Sequence, residues 1–168
     1  IIGKMVKAII QVIIFCDSSS SGNLVGLGLG IPGNVDPLKG TTRYLPNFGW
    51  LEEVALADKM LKLLSADRTV TESEQGKKLL EKLQKKNHRI EMRNDGRCAA
   101  LGERHFGIGK ESKSKVFAML TLGTGIGGAL CVGERGELFD GCSFDAGDFG
   151  HHVMCSGAEA FDCICGKR

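Results

Sequence analysis

The first fifteen residues place Ile2, Met5, Val6, Ile9, Ile10 and Ile13 at three- and four-residue spacing, one apolar stripe that predicts a helix over residues 1–15. The polar loop DSSSSGN at 17–23 ends it, and LVGLGLGI at 24–31 then reads as a buried strand closed by Pro32-Gly33-Asn34. From Trp50 to Asn94 the texture is helical: Val54, Ala57, Leu61 and Leu64 mark one face, and Leu79, Leu80 and Leu83 mark a second helix. Thr71-Glu72-Ser73-Glu74 has the spacing of a capping box with Val70 as its staple, and the lysines at 77, 78, 82, 85 and 86 form a solvated side. A short strand over 89–92 delivers Asn94-Asp95, and residues 96–104 return to helix. VFAMLTL at 116–122 is a strand, followed by a glycine-rich turn at 123–128 and a second strand at 129–132.

Composition narrows the function classes. With 22 basic and 20 acidic residues the formal charge is +2, too balanced for a nucleic-acid or membrane-surface footprint. A hydrophobic content of 42% in 168 residues supports a folded core and excludes global disorder. The apolar N-terminal run is broken by Lys4, Lys7 and Gln11 and is shorter than the roughly 20 residues of a membrane span. No targeting signal stands out. Seven scattered cysteines make a poor disulfide framework and suit a reducing, cytoplasmic compartment.

Three constellations could carry chemistry. Gly123-Thr124-Gly125-Ile126-Gly127-Gly128 contains G-x-G-x-x-G, but Gly133 and Gly136 follow too soon for the helix that a dinucleotide fingerprint must open. Strand, turn, strand fits better, and the turn's backbone amides with the Thr124 hydroxyl could still cradle phosphate, the alternative being a purely structural hairpin. Asp95 follows a strand and precedes a helix, where its carboxylate either caps the helix or faces a cleft as a general base. Asp145 to His152 gathers carboxylates and imidazoles ahead of Cys155, Cys163 and Cys165, which raises zinc against the alternative of buried thiols.

GLGIPGNVDPLKG at 28–40, LPNFGW at 45–50, NDGRCAALGE at 94–103, LTLGTGIGGAL at 120–130, AGDFGHH at 146–152 and CICG at 163–166 together resemble the ROK family of sugar kinases and repressors. The resemblance implies an α/β fold, an incomplete actin-like or hexokinase-like ATPase with ribonuclease H-like lobes. Residues 1–95 would supply the end of the first, sugar-side lobe, and 96–168 the start of the second, with the phosphate hairpin and part of a zinc motif. The chain is then expected to be a fragment open at both ends, without the family's N-terminal D-x-G-G-T loop and inactive alone.

The resemblance further implies an ATP-dependent kinase acting on a hydroxyl of a hexose or N-acylhexosamine, glucokinase-like as a first expectation. Asp95 would be the general base; Gly33, Asn47, Asn94, Asp148 and His151 would bind sugar; Gly123, Thr124, Gly125, Gly127 and Gly128 would bind ATP phosphates with Mg2+. His151, Cys163 and Cys165 would hold a structural zinc, and a homodimer is the family habit. The alternatives are a sugar-sensing repressor, the one reading that brings in nucleic acid, or a non-catalytic sugar-binding remnant. Two departures stand out: Asp148 replaces the family's usual Glu, and the spacing from His151 to Cys163 is slightly long. The helical segment 52–88 is longer than in the plainest members and reads as a lobe elaboration.

Overall fold

In a computed structural model the chain forms two compact units, Ile1–Asn94 and Asp95–Arg168. The structure describes all residues except 20–23, 44, 46–47, 86–89, 124, 154–156, 158–161 and 163–168.

The first unit begins with helix α1, Ile2–Ser19, four residues longer at its end than the apolar stripe alone predicts. Val6, Ile10 and Ile13 are buried, and Ile2, Met5 and Ile9 pack against the same core. The apolar run after it yields strand only at β1, Gly28–Ile31, with the Leu27 carbonyl just before it accepting from the Glu91 amide at 2.9 Å. Strands β2, Asn34–Asp36, and β3, Thr41–Arg43, form an antiparallel pair that the sequence did not announce. Helix α2, Leu56–Ala66, buries Leu56, Ala57, Met60 and Leu64.

Two short-range polar contacts then set the helix boundaries. Asp67 caps α3, Arg68–Glu72, by accepting from the Thr69 amide at 2.9 Å. The N-cap of α4, Glu74–Gln84, is Ser73, which accepts from the Gly76 amide at 2.8 Å, and not Thr71 as the capping-box spacing suggests. Thr71 lies inside α3, its hydroxyl donating to the Asp67 carbonyl at 3.1 Å. Gly76 is required there, since a Cβ would run into the Val70 carbonyl where α3 and α4 meet. Strand β4, Glu91–Asn94, closes the unit in parallel with β1, pairing Gly28 with Glu91 and Ile31 with Asn94.

The second unit opens with α5, Asp95–His105, which begins one residue earlier than the sequence reading. Strands β5, Val116–Leu122, and β6, Ile126–Val132, form an antiparallel hairpin, and β7, Glu137–Leu138, adds to β6. Ala100, Ala129 and Cys131 are its buried centre, with Phe117, Met119, Leu101 and Leu138 packed around them. No described helix is long and apolar enough to cross a membrane.

Candidate functional site

The β1–β4 pairing puts Asn94 opposite Ile31, at the carboxyl ends of two parallel strands, where α/β folds present ligand groups. Pro32-Gly33 leaves β1 at this end, and Gly33 turns the chain at φ 84, a left-handed conformation that glycine adopts without strain. Asn94 Nδ2 donates to the Gly33 carbonyl at 3.1 Å, tying segments 61 residues apart in the chain. Two of the predicted sugar contacts are thereby joined directly. Asn47 lies outside the described residues.

The next residue in the chain is Asp95, the first residue of α5. It is exposed, and its Oδ1 accepts from the Gly96 amide at 2.9 Å, the one hydrogen bond of this carboxylate among the described residues. That bond is to an adjacent amide and not the second- or third-residue contact of an N-cap, so the capping alternative accounts for little of the side chain. The second oxygen can accept a proton from a hydroxyl.

The hairpin turn is tighter than its glycine content implies. Strand β6 begins at Ile126 instead of at 129, so the turn is 123–125, closed by the Gly123 amide donating to the Gly125 carbonyl at 3.0 Å. Gly127 and Gly128 are ladder residues paired with Thr121 and Leu120. A Cβ on Gly127 would meet Thr121 Oγ1 at 2.6 Å, and one on Gly128 would collide with the Phe149 ring. Cross-strand and loop packing therefore account for these two glycines, whereas a Cβ on Gly123 or Gly125 would meet nothing within 4 Å. Thr124 lies outside the described residues.

The segment carrying Asp148 and His151 lies across β6. Gly147, at φ 104, comes so close that a Cβ would sit 3.0 Å from both the Ala129 Cα and the Gly128 carbonyl oxygen. At Gly150 a Cβ would run into the Ile126 carbonyl. Glycines 128, 147 and 150 thus let loop and strand backbones touch, and the loop ends in a 3-10 turn, Phe149–His151, whose His151 amide donates to the Asp148 carbonyl at 3.1 Å. Asp148 is exposed as a residue, yet desolvation by the surrounding chain raises its carboxyl pKa above the ordinary 3.8; Arg97 and His151 pull it down, and Asp145 pushes it up.

Arg97, which the sequence reading passed over, holds this loop to α5. It is 3% exposed; its Nη1 donates to Asp140 Oδ1 at 2.7 Å and its Nη2 to the Ala146 carbonyl at 2.8 Å. The signal was there: Arg97, Ala100 and Arg104 share the buried face of α5, and an arginine on a helix's apolar stripe demands an acceptor. Among the described residues no group of three or more His, Cys, Asp or Glu is arranged to hold a metal ion. His151 is exposed, and Cys163 and Cys165 lie outside the described residues. A cavity of about 410 Å³ opens beside α4, lined by Leu24, Val25, Lys78 and Lys82 among others, and no predicted site residue borders it.

The "Glucokinase" of Halalkalibacterium halodurans is 31% identical over 148 residues, covering 88% of this chain and 36% of that protein. A ROK glucokinase from Streptomyces griseus, solved in complex with glucose and AMPPNP, is 25% identical with a TM-score of 0.60, over 96% of this chain and 43% of that one. A ROK transcriptional regulator homologous to the E. coli MLC protein superposes with a TM-score of 0.69 at 17% identity, over 99% of this chain and 34% of that one. The chain thus spans about a third of the length of the curated relative, and the fold is that of the ROK hexokinases, part of an actin-like ATPase. Residues 2–168 match the ROK family, and the chain belongs to it.

Proposed function

We propose that this chain is part of an ATP-dependent sugar kinase that phosphorylates a hydroxyl of a hexose or N-acylhexosamine, with glucose as the first substrate to test. The observation that carries the reading is Asp95: a carboxylate at a strand end, on a helix N-terminus, with one oxygen uncommitted among the described residues. In the reaction the sugar hydroxyl oxygen attacks the γ-phosphorus of ATP, its proton passes to the Asp95 carboxylate, and ADP leaves with the electron pair of the broken bond. Such transfers ask the protein for positioning and charge stabilisation, and no covalent intermediate is needed.

Asn94, the Pro32-Gly33 turn, Asp148 and His151 are assigned to the sugar hydroxyls, and Asn47 to the same task. Gly123, Thr124, Gly125, Gly127 and Gly128 are assigned to the ATP phosphates, and the close packing at Gly127 and Gly128 keeps β6 against its neighbours. Magnesium would travel with the phosphates and neutralise their charge. An imidazole and two thiols at His151, Cys163 and Cys165 are a donor set suited to zinc, with a structural role. Residues 1–95 and 96–168 are assigned to the sugar-side lobe and the start of the second lobe. A homodimer in the cytoplasm completes the reading, in keeping with the free thiols of Cys16, Cys131 and Cys142.

The second reading, a sugar-sensing repressor, is favoured by the superposition on a ROK transcriptional regulator. The two separate in an assay of ADP release over a panel of hexoses and N-acetylhexosamines with the full-length protein. Sugar-dependent turnover supports the kinase; sugar binding without turnover supports the repressor.

A further inference from the structure

Helix α5 carries Asp95 at its first position and Arg97 two residues on, within the same turn. The Arg97 guanidinium donates to both a carboxylate and a carbonyl, at 2.7 and 2.8 Å. Both acceptors, Asp140 and Ala146, bracket one loop, and the Ala146 amide donates to the Asp140 carbonyl at 3.2 Å, so the loop is closed on itself where the guanidinium grips it. Two residues beyond Ala146 is Asp148, and three further is His151. The grip is desolvated, with the Arg97 side chain 4% exposed and that of Asp140 21%.

We propose that Arg97 is a positioning residue that fixes the Asp148–His151 segment relative to Asp95 and thereby sets how tightly the sugar is held. The proposal rests on the sugar-kinase reading above. A planar fork reaching two acceptors at once defines both the distance and the rotation of the loop, which a single point contact would not. The nearby Arg97 charge also acts on the Asp148 carboxyl itself. The acceptors of Arg97, Asp140 and Ala146, both lie on the loop that leads to Asp148 and His151, so the effect is expected on sugar binding.

The test compares Arg97→Lys with Arg104→Lys in the full-length protein. Arg104 is also buried on α5, 8% exposed, but its Nη1 donates to the Gly109 carbonyl at 2.7 Å, away from the loop. Lysine keeps the charge in both and removes the fork. The expected result is a tenfold or greater rise in KM for sugar in Arg97→Lys, with KM for ATP within twofold; Arg104→Lys lowers Tm but leaves KM for sugar within twofold. Asp140→Asn should reproduce the Arg97→Lys effect. Equal changes in both KM values, or an equal sugar effect in Arg104→Lys, would overturn the positioning role and leave a structural ion pair. If the unaltered protein binds sugar without turnover, the kinase reading fails by itself, and calorimetric sugar affinity takes the place of KM with the same tenfold criterion. If it binds no sugar, both fall.

Discussion

Asn94 Nδ2 donates a hydrogen bond of 3.1 Å to the carbonyl of Gly33, linking the last residue of β4 to the turn that leaves β1. The bond fixes the turn at the strand ends from which the sugar is proposed to be held, and Gly33 reaches it with φ 84. Stability and ligand affinity should therefore respond together when it is lost.

Asn94→Ala removes the donor and leaves the carbonyl to water, at a cost of about 1 kcal/mol. KM for sugar is expected to rise while KM for ATP stays within twofold. Denaturant unfolding and steady-state kinetics on the same preparation check both.

Gly128→Ala is expected to destabilise by about 1–3 kcal/mol, the usual cost of inserting a methyl into a packed site. Its Cβ would meet the Phe149 ring and, at 2.8 Å, the Gly147 carbonyl oxygen, a backbone atom that can yield only by moving the loop off β6. Gly123→Ala has open space within 4 Å and should leave Tm unchanged. If the turn cradles phosphate, Gly123→Ala raises KM for ATP and not for sugar. Thermal melts separate the two glycines, and kinetics assign the second.

These two glycines show how far the sequence carries. The motif G-T-G-I-G-G was legible as a hairpin because no helix could follow it, but composition cannot distinguish a glycine that bends the chain from one that makes room for a neighbour. Gly127 and Gly128 belong to the second kind, and the neighbours, Thr121 and Phe149, are brought up only by folding. The α1 stripe and the strand-to-helix passage at Asn94-Asp95 were legible for the opposite reason, since they depend on local periodicity alone. Strands β2 and β3 are three residues each, too short for a period to register. Arg97 was missed because a charge in DGRCAALGERH reads as solvated until its spacing to Ala100 is taken as a buried face.

The Asp148 carboxyl titrates above 3.8 because the fold desolvates it, so its ionised form is disfavoured in the folded state. The sign follows: relative to an uncharged side chain, Asp148 costs stability once pH rises through its folded pKa, and the cost vanishes below the unfolded value. Asp148→Asn should have a higher Tm than the unaltered protein at neutral pH, with the gap closing as pH falls towards about 4. Sugar affinity should show the reverse dependence, weakening in the unaltered protein as acid neutralises Asp148 and staying flat in the variant. Melting curves and sugar KM across that pH window check both signs.

If Asp95 takes the proton from the sugar, Asp95→Asn in the full-length protein must lose the chemical step and keep the sugar. Asparagine keeps the size and the hydrogen bond to the Gly96 amide but cannot accept the proton. In this variant kcat for sugar-dependent ADP release is expected to fall about 1,000-fold, a loss typical of removing a general base, while sugar binding measured by calorimetry changes by less than about fivefold. A variant that turns over within about tenfold of the unaltered enzyme would contradict the assignment and place the base elsewhere.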